Sequence, residues 1–151
     1  MTELYHYTDC GLPNVWLDGG VVVKETPYGT TTSIAALDNL HHEIAMDIIT
    51  RASGMTGAEM RFLRIELDIS QRALARMLKT SEKNIQRWEK HRDEEVPNGP
   101  ACVALGALYV GMRSDAEFRE LVQNVADLDR EISELEHNMS FRLDGEHWEA
   151  A

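Results

Sequence analysis

The stretch ISQRALARMLKTSEKNIQRWEK, from Ile69 to Lys90, constrains this chain more than any other. Ser70 stands where a hydroxyl can cap a helix start, and Leu74, Met77 and Leu78 follow at spacings of three to four residues. Ala75 is small where that helix must approach a neighbour. After Lys79-Thr80, Ser81 offers a second N-cap, and Ile85 and Trp88 form the inner side of a second helix. The pattern predicts two short helices across a tight turn, a helix-turn-helix. Lys83, Asn84, Gln86 and Arg87 are left on the outer side of the second helix. They make a positive, hydrogen-bonding face of the width of a DNA major groove.

Net charge opposes that reading until it is divided along the chain, which carries −11 in all. Positions 61–92 hold nine of the fifteen basic residues against four acidic ones, which makes +5; the other six basic and 22 acidic residues make −16. A basic window within an acidic chain suits a module that meets phosphates with one face. The acidic remainder is read in two ways, as an ordinary solvated surface or as a surface for a basic protein partner. With 151 residues, 43% of them hydrophobic, the chain can fold as one domain or as two small ones sharing a helix. No apolar run approaches a membrane span, and the first residues, MTELYHYTDC, carry no basic-plus-apolar leader, so a cytoplasmic protein is expected. Cys10 and Cys102, 92 positions apart, read as free thiols.

Upstream of this window the chain changes character twice. Leu4 to Thr8 alternates as a short strand, and Val15-Trp16-Leu17 and Val21-Val22-Val23 flank Asp18-Gly19-Gly20, which reads as a hairpin turn. Thr30 to Ile34 is β-branched and follows a Pro27-Tyr28-Gly29 turn. From Asp38 the period becomes helical, with Leu37, Leu40, Ile44, Ile48 and Ile49 on one face, until Ser53-Gly54. Thr56 and Glu59 form a capping-box signature for the next helix. Glu94 to Pro100 reads as a loop, and Ala101 to Met112 as a nearly all-apolar helix that closes the core.

Ser114 to about Asn138 is expected as the longest helix. Phe118, Leu121, Val125, Leu128, Ile132, Leu135 and Met139 recur at alternating spacings of three and four. They fit the a and d positions of a two-stranded coil. Glu131 at g would face Glu136 at e of a parallel partner, a repulsive match, so packing against the same chain or another dimer geometry competes with the coil. In either case an apolar stripe of this length predicts a homodimer, with Leu121, Val125, Leu128, Ile132 and Leu135 as dimerisation residues. Phe141 to Trp148 alternates around Asp144-Gly145 and reads as a small hairpin or a disordered tail. The expected division is 1–54, a β element plus helix; 55–113, the helix-turn-helix domain; and 114–151, the long helix and tail.

In Ser70-Gln71, Leu74-Ala75, Ser81, Ile85 and Trp88-Glu89, the motif resembles the Xre/Cro class of helix-turn-helix domains. The run Tyr5 to Leu12, then Asn14 to Leu17, Pro27-Tyr28-Gly29, Leu40-His41 and Thr56 to Arg64, adds a second likeness. Taken with the motif, this order resembles the MqsA/YgiT-type antitoxin and regulator family over about residues 4 to 110. The resemblance implies an α+β, mainly α fold: a small antiparallel β element, then a five-helix Xre/Cro-like domain with a long C-terminal helix. It also implies a dimeric antitoxin that binds a toxin through its N-terminal part and represses its own operon. Family members with full motifs carry an N-terminal zinc ribbon, and this chain departs from them, since Cys10 stands alone with no CxxC. His6, Cys10, His41 and His42 are the residues left for a substitute site; the competing reading makes His41-His42 polar helix residues and His6 a strand side chain. No metal or other cofactor is expected. Lys79 stands where such turns commonly have Gly, which predicts a reshaped turn with Lys79 kept for a phosphate.

For contacts to double-stranded DNA, Lys83, Asn84 and Arg87 are the expected base readers, Arg87 as a bidentate partner of guanine. Gln71, Arg72, Arg76, Lys79 and Ser81 are the expected phosphate contacts. A dimer would take a palindromic operator. The function expected is therefore a sequence-specific repressor, as an antitoxin to a small basic toxin; the alternative is a stand-alone transcription factor whose N-terminal sheet is an interaction or ligand module. An enzyme is not expected. No nucleophilic triad, glycine-rich phosphate loop or metal quartet is visible, and His41-His42-Glu43 is too generic to count.

Overall fold

Two adjacent glycines carry the chain from one strand pair to the next near the N-terminus. In a computed structural model describing residues 3–51, 53–127 and 140–150, Gly19 and Gly20 both have positive φ, 81° and 74°. They do not close a hairpin, as the sequence had led us to expect. Instead β1 (Tyr5–His6) pairs back on β2 (Trp16–Leu17), and β3 (Val21–Thr26) pairs with β4 (Gly29–Ile34). Pro27 and Tyr28 are the loop of that second hairpin, since Thr26 faces Gly29. Pro27 presets the turn, and the Thr26 hydroxyl clamps it by donating to Gly29 O at 2.7 Å while accepting from Tyr28 N. The strand expected over Leu4–Thr8 shrinks to two residues because Tyr7 turns inward and is buried.

α1 (Leu37–Thr50) points Ala45 and Ile48 into the core and leaves Leu37, expected on the inner face, exposed. α2 (Gly57–Glu66) starts with the anticipated capping box: Thr56 Oγ1 accepts from Glu59 N, and the Glu59 carboxylate accepts from Thr56 N. The expected pair of short helices is present as α3 (Gln71–Met77) and α4 (Glu82–Lys90), capped by Ser70 and Ser81. α5 (Gly99–Ser114) begins earlier than expected. Pro100 occupies its first turn, where a missing N–H costs nothing, and Asn98 caps it. Asp115 then breaks the helix, and its carboxylate accepts from the amides of Glu117 and Phe118 to start α6 (Ala116–Asp127). The long helix expected from Ser114 is thus interrupted at its first turn, and its part beyond residue 127 lies outside the described residues. β5 (Phe141–Asp144) and β6 (His147–Ala150) form the small hairpin at the tail.

Among the described residues the fold is mixed α and β, with six helices and three antiparallel strand pairs. One hydrophobic cluster joins Leu12, Ala45 and Ile48 to Met60, Leu63, Leu74, Ile85, Leu105 and Tyr109, and reaches Val122 of α6. It runs across both boundaries expected from sequence. Polar ties support it. His41 Nδ1 lies 2.7 Å from the Glu66 carboxylate and its Nε2 lies 2.8 Å from the Tyr7 hydroxyl, each within hydrogen-bond reach. That chain holds the N-terminal strands against α1 and α2. His42 Nδ1 lies 3.0 Å from the Tyr109 hydroxyl.

Candidate nucleic-acid interface

α4 is divided sharply between an inner and an outer side. Ile85, Trp88 and Glu89 are buried, while Lys83, Gln86, Arg87 and Lys90 are exposed at i, i+3, i+4 and i+7, a single stripe. What fixes the helix about its axis is an ion pair that sequence reading missed. Glu89 is 5% exposed and accepts two bonds from Arg64 of α2, from Nε at 2.8 Å and from Nη2 at 2.9 Å. Arg64 Nη1 also donates to Ile69 O. Removing one partner of such a buried pair costs about 3–5 kcal/mol, because the other charge is left without compensation. A separation of 25 positions gives no periodic signal, so no local pattern could have found the pair.

The turn ahead of α4 is tightly determined. Lys79 takes φ 56°, so the left-handed residue is present and the turn is not reshaped, contrary to expectation. Thr80 N donates to Ala75 O at 2.9 Å and Lys79 N to Arg76 O at 3.3 Å, which are the two bonds of a Schellman ending. α2 ends the same way through Asp68, φ 55°, with Ile69 N on Arg64 O and Asp68 N on Ile65 O. Two non-glycine residues thus hold left-handed positions because the capping bonds around them offset the strain.

The expected contact residues fall into place unevenly. Lys83 and Arg87 are exposed on the outer stripe, with Lys79 and Arg72 exposed nearby in sequence and Arg76 half-buried. Ser81 is exposed but its hydroxyl accepts from Asn84 N as the cap. Asn84 is not held outward on its own. Its Nδ2 donates to Thr80 Oγ1 at 2.9 Å, and its Oδ1 accepts from Arg87 Nη2 at 2.8 Å, so it supports the arginine. Gln71 is half-buried at the start of α3. The basic window also contains fewer outward charges than its composition implied. Arg64 is turned inward against Glu89, whereas Arg61, 4.0 Å from the same carboxylate, and Arg92, which donates to Gly11 O at 2.6 Å, stay exposed.

The expected dimerisation stripe divides. Phe118 packs against the chain's own core, beside Val122, which was not expected on the stripe, while Leu121 is 60% exposed. Val125 lies in α6, and Leu128, Ile132 and Leu135 lie outside the described residues. The four residues considered for zinc do not converge. His6 stacks on Trp16 with its Nε2 at Pro13 O, Cys10 Sγ donates to Tyr7 O, and His41 and His42 hold Glu66 and Tyr109. Among the described residues no group of His, Cys, Asp or Glu gathers as metal ligands, and no helix is long and apolar enough to cross a membrane. Cys10 and Cys102 are free thiols, and burial pushes both above their ordinary pKa. Comparison with protein-family models, with curated proteins and with solved structures gives no match.

Proposed function

We propose that this chain is a sequence-specific DNA-binding repressor acting as a dimer in the cytoplasm, with α3 and α4 as an Xre/Cro-like helix-turn-helix. The observation that carries the reading is the outer stripe of α4. Lys83, Gln86, Arg87 and Lys90 line a helix whose opposite side is pinned by Ile85, Trp88 and the Glu89–Arg64 pair. A recognition helix needs this division, because base reading requires side chains held at a fixed rotation in the groove. Arg87, steadied by Asn84, suits guanine O6 and N7; Lys83 suits the same edge as a point charge. Arg72, Lys79 and the amide ends of α3 and α4 supply phosphate contacts that set the register.

The reading extends to autoregulation in a toxin–antitoxin pair. An acidic remainder of −16 is suited to a small basic protein, and a gene for one next to this gene would favour that extension over a stand-alone regulator. The DNA reading is tested by a mobility shift on the DNA upstream of this protein's own gene, with wild type and the Lys83→Ala/Arg87→Ala double variant. Wild type binds tightly and with strong salt dependence, and the double variant does not. Arg87→Ala alone costs about 1–3 kcal/mol per half-site and relaxes selectivity at the contacted position. Absence of binding by wild type at low salt sinks the proposal.

A further inference from the structure

The β3–β4 hairpin stands out from the rest of the fold with its main chain half satisfied. From Val22 to Ser33 every residue is exposed on both faces, and Val22, Val23 and Tyr28 expose 48%, 58% and 99% of their surface. A lone two-stranded hairpin is marginal in water, so this one gains from further pairing. The phase of its ladder identifies which groups are available. Ala35 N donates inward to Gly20 O at 2.9 Å. Antiparallel alternation then turns Ser33, Thr31 and Gly29 inward, and points the N–H and C=O of Thr30, Thr32 and Ile34 away from β3.

We propose that this edge of β4 pairs with the same edge of a second copy. A twofold axis normal to the sheet places Thr32 opposite Thr32 of the copy, and Thr30 opposite its Ile34. Every outward group of β4 then faces an outward group, each pair exchanging both bonds. Centring the axis on Thr31 instead would pair Thr30 with Thr32 of the copy but set Ile34 opposite Tyr28 of the turn, so fewer outward groups would find a strand partner. On one face the paired sheet would carry a continuous row Val23–Thr32–Thr32–Val23, with threonines as compatible cross-strand neighbours. Charge selects the same edge and the same occupant. A chain at −11 repels its own copies, but residues 19–37 hold only Lys24 and Glu25, which cancel. Both lie on β3; β4 has no charge, proline or bulge of the kind that blunts an open edge. A six-residue strand pair buries less than the roughly 1,200 Å² of a standard interface. The association is therefore concentration-dependent and adds to whatever contact α6 makes. This inference rests on the dimeric repressor reading for what the pairing serves, but not for its geometry.

Amide hydrogen exchange measured by NMR in dilute and concentrated solution reads the edge directly, with sedimentation giving the oligomeric state. Thr30, Thr32 and Ile34 amides become protected as the dimer fills, while Thr31 and Ser33 are protected throughout. Thr32→Pro deletes an outward donor without touching the β3 ladder, and weakens self-association by about tenfold or more with Thr31 protection retained. Free exchange at Thr30, Thr32 and Ile34 in a solution that sediments as a dimer overturns the proposal, as does protection of Val21, Val23 and Glu25 instead. A monomer at every concentration also overturns it. The operator shift run on the same samples separates the two readings. Binding with an unprotected edge leaves the repressor without this arm, and a protected edge without binding leaves the arm without the repressor.

Discussion

Lys79 occupies a backbone conformation that a lysine adopts only at a cost of about 1–2 kcal/mol, and it does so in the turn that aims α4. On the proposed function, two demands compete at this one position. The turn needs φ near +56°, which glycine adopts freely, whereas a phosphate needs a long cation. Lys79→Gly is therefore expected to raise stability by about 0.5–1 kcal/mol in urea unfolding and to weaken DNA binding at the same time, lowering the salt slope by about two in the dimer. If both quantities fall, the lysine side chain stabilises the fold rather than serving DNA. The departure from glycine was visible in the sequence, but its outcome was not. Whether a strained residue reshapes a turn or is forced into it depends on the Thr80–Ala75 and Lys79–Arg76 bonds around it. Asn84 is a similar case. Its type and position suggested a base reader, yet a helical turn places it within reach of both Thr80 and Arg87, and those bonds redirect it.

At the scale of elements, the contact between α2 and α4 decides how the outer stripe is presented. The two helices approach so closely at Gly57 that an added Cβ would lie 1.9 Å from Trp88 O and 2.7 Å from His91 O. Both obstacles are backbone, so no side-chain rotation relieves them. Gly57→Ala is expected to push α4 away from α2, strain the Arg64–Glu89 pair and cost about 1–3 kcal/mol or more, read as a lower urea midpoint. On the proposed function, DNA affinity should fall further than stability alone explains, since the surviving fold holds α4 at a changed angle. An alanine variant of wild-type stability would mean that the close approach is not maintained in solution. Capping and periodicity exposed these helices well: Thr56 with Glu59, Ser70 and Ser81 each start the helix they were expected to start. Strand partners were less legible. Val15-Trp16-Leu17 and Val21-Val22-Val23 looked like neighbours across Asp18-Gly19-Gly20, but pairing is settled by which strands meet in space. β2 had Tyr5–His6 to return to, and the clamp at Thr26 closed the other hairpin. Gly57 itself carried no signal beyond its place at the head of a capped helix, because a close approach belongs to two segments and not to one.

For the whole molecule, the decisive property is the separation of charge. A chain at −11 can hold DNA only if its cations face the phosphates and its carboxylates stay beyond a Debye length, about 8–10 Å at ordinary salt. The fold meets the first condition at reduced strength, since Arg64 faces Glu89 rather than solvent. On α3, α4 and the turn between them, the exposed cations are Arg72, Lys79, Lys83, Arg87 and Lys90 per chain. Of these, Lys83 and Arg87 are proposed to read bases, so a dimer draws its phosphate contacts chiefly from Arg72, Lys79 and Lys90 of each copy, about six in all. Counterion release then predicts a slope near −5 for the logarithm of the binding constant against the logarithm of salt concentration, measured by titration at several salt concentrations. Arg72→Ala should move it toward zero by about two in the dimer and weaken all DNA sequences alike, whereas Arg87→Ala should change selectivity more than slope. A wild-type slope near −2 would mean that the acidic body cancels most of what the outer stripe gains. The basic window would then have to be read as a surface that stabilises the fold, with DNA no longer its partner.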